Sequence, residues 1–253
     1  MARNLAVIRL EAIYRSLMLR FFYRRLGLLL VTEYPKSGGS WVAQMLSDAI
    51  DYPFPRQSFP PFGRAIYHGH RIADLGLAPV VVVWRDPRDI MVSWYYHTLF
   101  VSDKNHPGFV ARHRHLLDFK DYDDIRCNLP RFIEFNFETP LSPKFSFNDF
   151  FDRWYGDANA VHCRYEDLLE KPEDELMSVC QQLGFDLSRD HCQQIVQRYS
   201  FTAQASRSPG HEDKGSYLRK GVAGDWKNHF NSDAIEMINR YLGHRLKALR
   251  YLP

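Results

Sequence analysis

Between Tyr34 and Trp41 the chain reads YPKSGGSW: a cation at Lys36, hydroxyls at Ser37 and Ser40, and the glycine pair Gly38-Gly39. These are the residue types that hold an anion. Glycines let a phosphate approach the backbone and allow positive φ. Unpaired N–H groups at a helix start point toward a common centre, and the helix dipole reinforces them. Lys36 adds a full positive charge, and the two serines add hydroxyl donors. The spacing departs from the Walker A order G-x-x-x-x-G-K-[ST], because the lysine precedes the glycines. An ordinary ATPase or kinase loop is therefore disfavoured.

Two distant segments repeat this chemistry. Arg85 follows the run Val80–Trp84 directly, and Ser93 stands eight residues further on. A guanidinium and a hydroxyl so placed suit a second phosphate, although Asp86 and Asp89 offer Arg85 local ion pairs instead. Near the end, LRKGVAGDWKNHF sets Arg219 and Lys220 before Gly221, with Gly224 at a loop spacing and Trp226 and Phe230 as apolar anchors. One basic, glycine-bearing segment is ordinary. Three of them suggest a ligand with separated anionic groups.

The elements that must position these groups are legible as hydrophobic patterns. Leu28–Val31 is a short apolar run before a turn, the signature of a buried parallel strand. Ser40–Ile50 carries Trp41, Val42, Met45, Leu46, Ala49 and Ile50 at helical spacing. Four consecutive valines at Val80–Val83 favour a deeply buried strand, and Asp86-Pro87 starts a helix. Further on, Phe150–Tyr155 begins a helix, Ala160–Arg164 a strand, Pro172–Leu183 an amphipathic helix and Asp233–Leu249 a closing helix. Asp51–Gly63 holds four prolines and reads as a loop. Phe100–Phe147 has weak periodicity and scattered aromatics, which fits either a binding wall or lid or ordinary core.

With these segments in place, the chain resembles the sulfotransferases that use 3′-phosphoadenosine 5′-phosphosulfate (PAPS). YPKSGGSW resembles their YPKSGTTW loop, and RDPRDIMVSWYYH resembles their 3′-phosphate segment. CRYEDL followed by Pro172 and the terminal RKGVAGDWKNHF complete the set in the family's order. The resemblance implies an α/β fold: a single domain with a central parallel sheet flanked by helices, P-loop-kinase-like in architecture. It also implies roles. Lys36, Ser37, Gly38, Gly39 and Ser40 would hold the 5′-phosphosulfate. Trp41 and Phe201 would flank the adenine, and Tyr165 would position the base. Arg85, Ser93, Arg219, Lys220 and Gly221 would secure the 3′-phosphate. PAPS would be the donor and 3′,5′-adenosine bisphosphate (PAP) the product, with no metal required.

Sulfuryl transfer to a hydroxyl needs a base, and a neutral imidazole suits physiological pH. The family's KTH element falls on His68-Gly69-His70, which makes His70 the expected general base and Lys36 the stabiliser of the leaving oxygen. His68 replaces lysine and Gly69 replaces the hydroxyl residue, so two alternatives stay open: a catalytically impaired PAPS- or PAP-binding protein, and a nucleotide-dependent kinase. The expected acceptor is a small molecule, a lipid or a carbohydrate. The family's dimer segment K-x-x-x-T-V-x-x-x-E keeps Lys227 and Glu236 here, but Asn231-Ser232 replaces Thr-Val, which leaves the oligomeric state open.

Bulk properties agree. The 253 residues suffice for a substantial core, and a net charge of +3 lacks the basic excess of a nucleic-acid binder. Cys127, Cys163, Cys180 and Cys192 form no C-x-x-C pair and read as reduced thiols of a cytoplasmic protein. We divide the chain into an amphipathic basic helix, 1–26, and a sulfotransferase domain, 27–253. Leu10, Ile13, Tyr14, Leu17 and Phe21 recur on one face of that helix, and Arg9, Arg20 and Arg24 lie on another. The arginines interrupt any membrane-spanning run, so the helix either packs on the domain or lies on an anionic membrane surface.

Overall fold

The computed structural model describes residues 5–56, 59, 61–72, 79–100 and 107–252. Pro60 and the stretch 101–106 of the aromatic segment lie outside the described residues, as does the side chain of Arg9. The chain forms two compact units whose segments alternate along the sequence: 1–84 with 154–204, and 85–153 with 205–253.

The first unit holds the sheet. Its strands are β1 (Leu29–Glu33), β2 (Ile66–Gly69), β3 (Val80–Trp84) and β4 (Ala160–Arg164). They are all parallel, in the order β2-β1-β3-β4. Strands covered on both faces read as continuous apolar runs, and β1 and β3 are buried at every position. Among the helices of this unit are α3 (Gly39–Ile50), α8 (Tyr165–Glu170), α9 (Pro172–Gln182) and α10 (Arg189–Arg198). Val42, Met45 and Leu46 of α3 share a core with Val31, Val81, Cys163 and Ile195. Because β2 and β3 flank β1 on opposite sides, the chain leaving β1 sits at a topological switch point, where open α/β sheets bind ligands.

The N-terminal segment is helical from Leu5 to Leu26: α1 (Leu5–Leu17), a π-helical turn (Met18–Phe22) and α2 (Tyr23–Leu26). It ends at Gly27, whose φ of 63° closes the cap. Met18, Leu19 and Tyr23 are buried. The Tyr23 hydroxyl donates to the Pro79 carbonyl at 2.8 Å, and Arg15 pairs with buried Glu11 at 2.9 Å while lying over the Tyr67 ring. One face of this segment therefore packs on the unit. No helix among the described residues is long and apolar enough to cross a membrane.

The second unit is built on α4 (Pro87–Leu99), α5 (Pro107–Leu117), α6 (Ile125–Glu138) and α12 (Ser232–Ala248), with a 3₁₀ turn at Asp225–Asn228. Asp86 caps α4 by accepting the Arg88 N–H at 2.9 Å. The aromatic segment, expected to be irregular, is largely helical: α5 and α6 bury Phe132 and Phe135, and Trp94 donates to Asn136 at 2.9 Å. Pro130 inside α6 masked the helical pattern of Ile125, Leu129, Phe132 and Ile133. Proline cannot donate to the carbonyl four residues back. The Asn231 amide fills that role, donating to the Arg126 carbonyl at 3.0 Å, while its oxygen caps α12 through the Ala234 N–H.

Candidate active site

The loop leaving β1 closes on itself before it opens into α3. Ser37 is buried and gives both its N–H and its hydroxyl to the Tyr34 carbonyl, at 3.2 and 2.8 Å. Both Ser37 donors thus close the turn in this structure. Lys36 adopts φ 74° and Gly38 φ 101°. Two left-handed residues in a turn this short aim the following N–H groups to one side. Gly38 precedes the helix, and Ser40 is the second residue of α3.

Sequence reasoning missed Glu33. Its buried carboxylate accepts the Gly39 N–H at 2.6 Å and contacts His68 Nε2 at 2.9 Å. An acid at the end of a buried strand, directly before the loop, was the available signal. Burial alone would raise the Glu33 pKa, but the His68 hydrogen bond and charge, His70 and the Gly39 N–H outweigh it and hold the carboxyl below its ordinary value. The histidine that replaces the family lysine therefore has a partner, and its Nε2 carries a hydrogen toward that carboxylate.

His70 lies just beyond β2. Its Nδ1 meets the Glu33 carbonyl at 3.0 Å. A carbonyl can only accept, so Nδ1 carries the proton and Nε2 keeps the lone pair. Desolvation by the surrounding protein, with His68 and Lys36 nearby, outweighs Glu33 and holds the His70 pKa below its ordinary value, although the side chain is exposed at the surface.

Space around the glycines is tight. A Cβ at Gly39 would lie 2.8 Å from the Glu33 carboxyl carbon and 2.9 Å from His68 Nε2. A Cβ at Gly38 would meet the Tyr165 ring at 2.8 Å. Gly39→Ala is expected to displace Glu33 and His68 together and cost about 1–3 kcal/mol in stability. Chemical denaturation checks this, and an unchanged midpoint would contradict the packing described.

Of the adenine candidates, Trp41 and Tyr165 lie beside the same loop. Trp41 donates to the Tyr199 carbonyl at 2.8 Å and meets Tyr165 edge to face at 5.8 Å. Phe201 opens α11 (Phe201–Ala205), two residues after Tyr199.

The second unit gathers the other cationic candidates. Asp89 accepts the N–H groups of Gly224 and Trp226 at 2.6 and 2.8 Å, tying α4 to the glycine loop. Burial raises the Asp89 carboxyl against the charge of Arg85 and those two donors. Arg85 itself donates to the Val222 carbonyl at 3.4 Å, whereas Asp86 takes Arg88. Ser93 is buried one turn beyond Asp89. Gly221 and Gly224 both have positive φ. Arg219 and Lys220 converge on Asp225, each at 2.5 Å, and Arg219 also pairs with Glu212. Among the described residues, Glu212, Asp225 and His229 alone have ligand atoms at metal-like spacing. Two cationic side chains already sit on that aspartate, which marks it as an ion-pair hub.

These features can be set beside known proteins. The sulfotransferase domain family matches residues 77–250. Sulfotransferase 2B1 of Rattus norvegicus is 22% identical, the alignment covering 89% of this chain and 72% of that protein. The amine sulfotransferase of Oryctolagus cuniculus is also 22% identical, covering 86% and 80%. In fold, the chain resembles mouse sulfotransferase SULT7A1 complexed with PAP, with a TM-score of 0.64 at 18% identity over 86% of this chain and 83% of that one. It likewise resembles retinol dehydratase in complex with androsterone and PAP, with a TM-score of 0.62 at 16% identity over 93% and 85%. The chain belongs to the PAPS-dependent sulfotransferase family and is an enzyme of sulfuryl transfer. Its parallel α/β sheet with flanking helices is the fold that the sequence implied.

Proposed function

We propose that this enzyme moves the sulfuryl group of PAPS onto a hydroxyl acceptor, with His70 as general base. The observation that carries this reading is the fixed orientation of His70, whose Nδ1 is anchored on the Glu33 carbonyl and whose Nε2 is left basic. The acceptor O–H gives its proton to Nε2 as its oxygen bonds to sulfur. The sulfur–oxygen bond to the 5′-phosphate breaks, and the bridging oxygen leaves with the electron pair as part of PAP. Lys36 stabilises the charge that develops there. Lys36, Ser37, Gly38, Gly39 and Ser40 hold the phosphosulfate. Trp41, Phe201 and Tyr165 hold the base, and Arg85, Ser93, Arg219, Lys220 and Gly221 take the 3′-phosphate. The acceptor is an alcohol or phenol, free or carried on a lipid or carbohydrate, in preference to an amine. An amine that attacks as the free base has no need of a general base beforehand.

Calorimetric titration of the metal-free protein with PAP, and with ADP and ATP as controls, tests the donor site. PAP binds preferentially, and Arg85→Ala lowers its affinity by about 10- to 100-fold, the value of a charge-assisted hydrogen bond. Equal affinity for PAP and ADP would sink the donor assignment. Tight PAP binding without PAPS turnover on any of a panel of alcohols, phenols and amines would leave a binding protein and remove the catalytic reading.

A further inference from the structure

The N-terminal helical segment has two apolar faces, and only one is covered. Met18, Leu19 and Tyr23 pack inward, but Val7, Leu10, Ile13, Leu17 and Phe21, spaced three and four apart, face solvent. Leu10 is 60% exposed, Ile13 57% and Phe21 64%. The proline-rich stretch of the same unit enlarges this surface. Phe59 meets Tyr14 edge to face at 5.7 Å, and Phe62 meets Phe22 at 5.7 Å. Both phenylalanines nevertheless remain open to solvent. A contiguous apolar surface of this kind marks an interaction site.

Charge selects the partner. The single acid of residues 1–27, Glu11, is buried beneath Arg15, whereas Arg20, Arg24 and Arg25 are exposed. Arg56 and Arg64, on either side of Phe59 and Phe62, are exposed as well. An isologous pairing with a second copy would set these arginines against their own images. An apolar stripe carried with arginines, on a helical segment that shows no exposed acid, suits a bilayer interface whose headgroups are anionic. We infer that the face formed by α1, the π-helical turn and α2, extended by Phe59 and Phe62, docks the enzyme on an anionic lipid surface. The segment lies in the interface plane without spanning it. The inference is independent of which acceptor the active site takes.

Cosedimentation of the full chain with sucrose-loaded phosphatidylcholine vesicles, with and without phosphatidylserine, tests it. The wild type sediments with the anionic vesicles and much less with the neutral ones. The double variant Leu17→Glu/Phe21→Glu and the single variant Phe62→Glu, all at exposed positions, each lower partitioning by roughly tenfold or more. Arg24→Glu/Arg25→Glu removes the preference for anionic lipid. The two apolar variants sit on different segments, so misfolding of one, visible by circular dichroism, leaves the other decisive. A wild type that stays in the supernatant with anionic vesicles overturns the inference. So does undiminished binding by the apolar variants. A dimer that Leu17→Glu/Phe21→Glu dissociates in analytical ultracentrifugation, with no vesicle binding, assigns the face to a second copy and overturns it too.

Discussion

Replacing His70 with alanine is expected to lower kcat for PAPS-dependent sulfation by about 10²- to 10⁴-fold, the usual contribution of a positioned base. PAP affinity should stay within about twofold, because the proton acceptor works on the acceptor hydroxyl and the donor is held by other groups. The pH profile of the unmodified enzyme carries a second signature. A base must be neutral to act, and the surroundings of His70 push its pKa below 6.5. The acidic limb of kcat/KM therefore inflects below that value, and activity is retained to lower pH than an unperturbed histidine would permit. The Glu33 carbonyl fixes only the Nδ1 proton, so His70→Gln, which lacks a basic nitrogen, is as inactive as the alanine variant. A fully active His70→Ala would end the general-base assignment, and a limb above 6.5 would overturn the direction of the shift.

The second large effect concerns Asp225, whose side chain is 1% exposed. It accepts from Arg219, Lys220 and Asn228 and contacts His229 at 3.2 Å. Removing it by Asp225→Ala leaves Arg219 buried with one fewer counter-charge. Such a break costs about 3–5 kcal/mol, a large part of the 5–15 kcal/mol that holds a typical domain folded. The pH dependence follows from the same contacts. Burial would raise the Asp225 pKa, but His229, Lys220, Asn228 and Arg219 together hold it far below 3.8. Its contribution is fully present above the unfolded value and is lost as pH falls from there through the folded one. Asp225→Asn should therefore lower stability at neutral pH and flatten the loss of stability on the acid side. Urea unfolding at a series of pH values reads both effects. A variant as stable as the wild type at pH 7 would show that the buried hub contributes nothing net.

Most of the sheet was readable because its strands are buried on both faces. Leu28–Val31 and Val80–Val83 carry continuous apolar runs that few other structures tolerate, and β1 and β3 fall on them with shifts of one or two residues. Helices α3, α9 and α12 show their apolar spacing plainly, and their observed ends agree closely. Other features depend on contacts distant in sequence. Glu33 looks like an ordinary strand residue until β2 brings His68 beside it. The bond from the Ser37 hydroxyl to the Tyr34 carbonyl likewise depends on the turn that the loop adopts. The alternation of the two units along the chain also left no mark in composition, because each crossing falls within or beside a regular element. Packing on the domain and facing a membrane do not exclude each other in the N-terminal helix. A helix with apolar residues around most of its circumference can do one on each side.

Asn231 serves two helices with one amide, and that constrains the history of this chain. Its oxygen is committed to the start of α12, and its nitrogen to the carbonyl that Pro130 leaves without a helical donor. A threonine there, as in the family's dimer segment, would have to meet both demands through one short hydroxyl, accepting from Ala234 and donating to Arg126 at the same oxygen, where the amide offers two separate atoms. Positions 130 and 231 are therefore epistatic although they lie on different helices. A lineage leading from the Thr-Val segment to this sequence, or back again, passes most easily by exchanging the pair, with asparagine arriving before the proline and leaving after it.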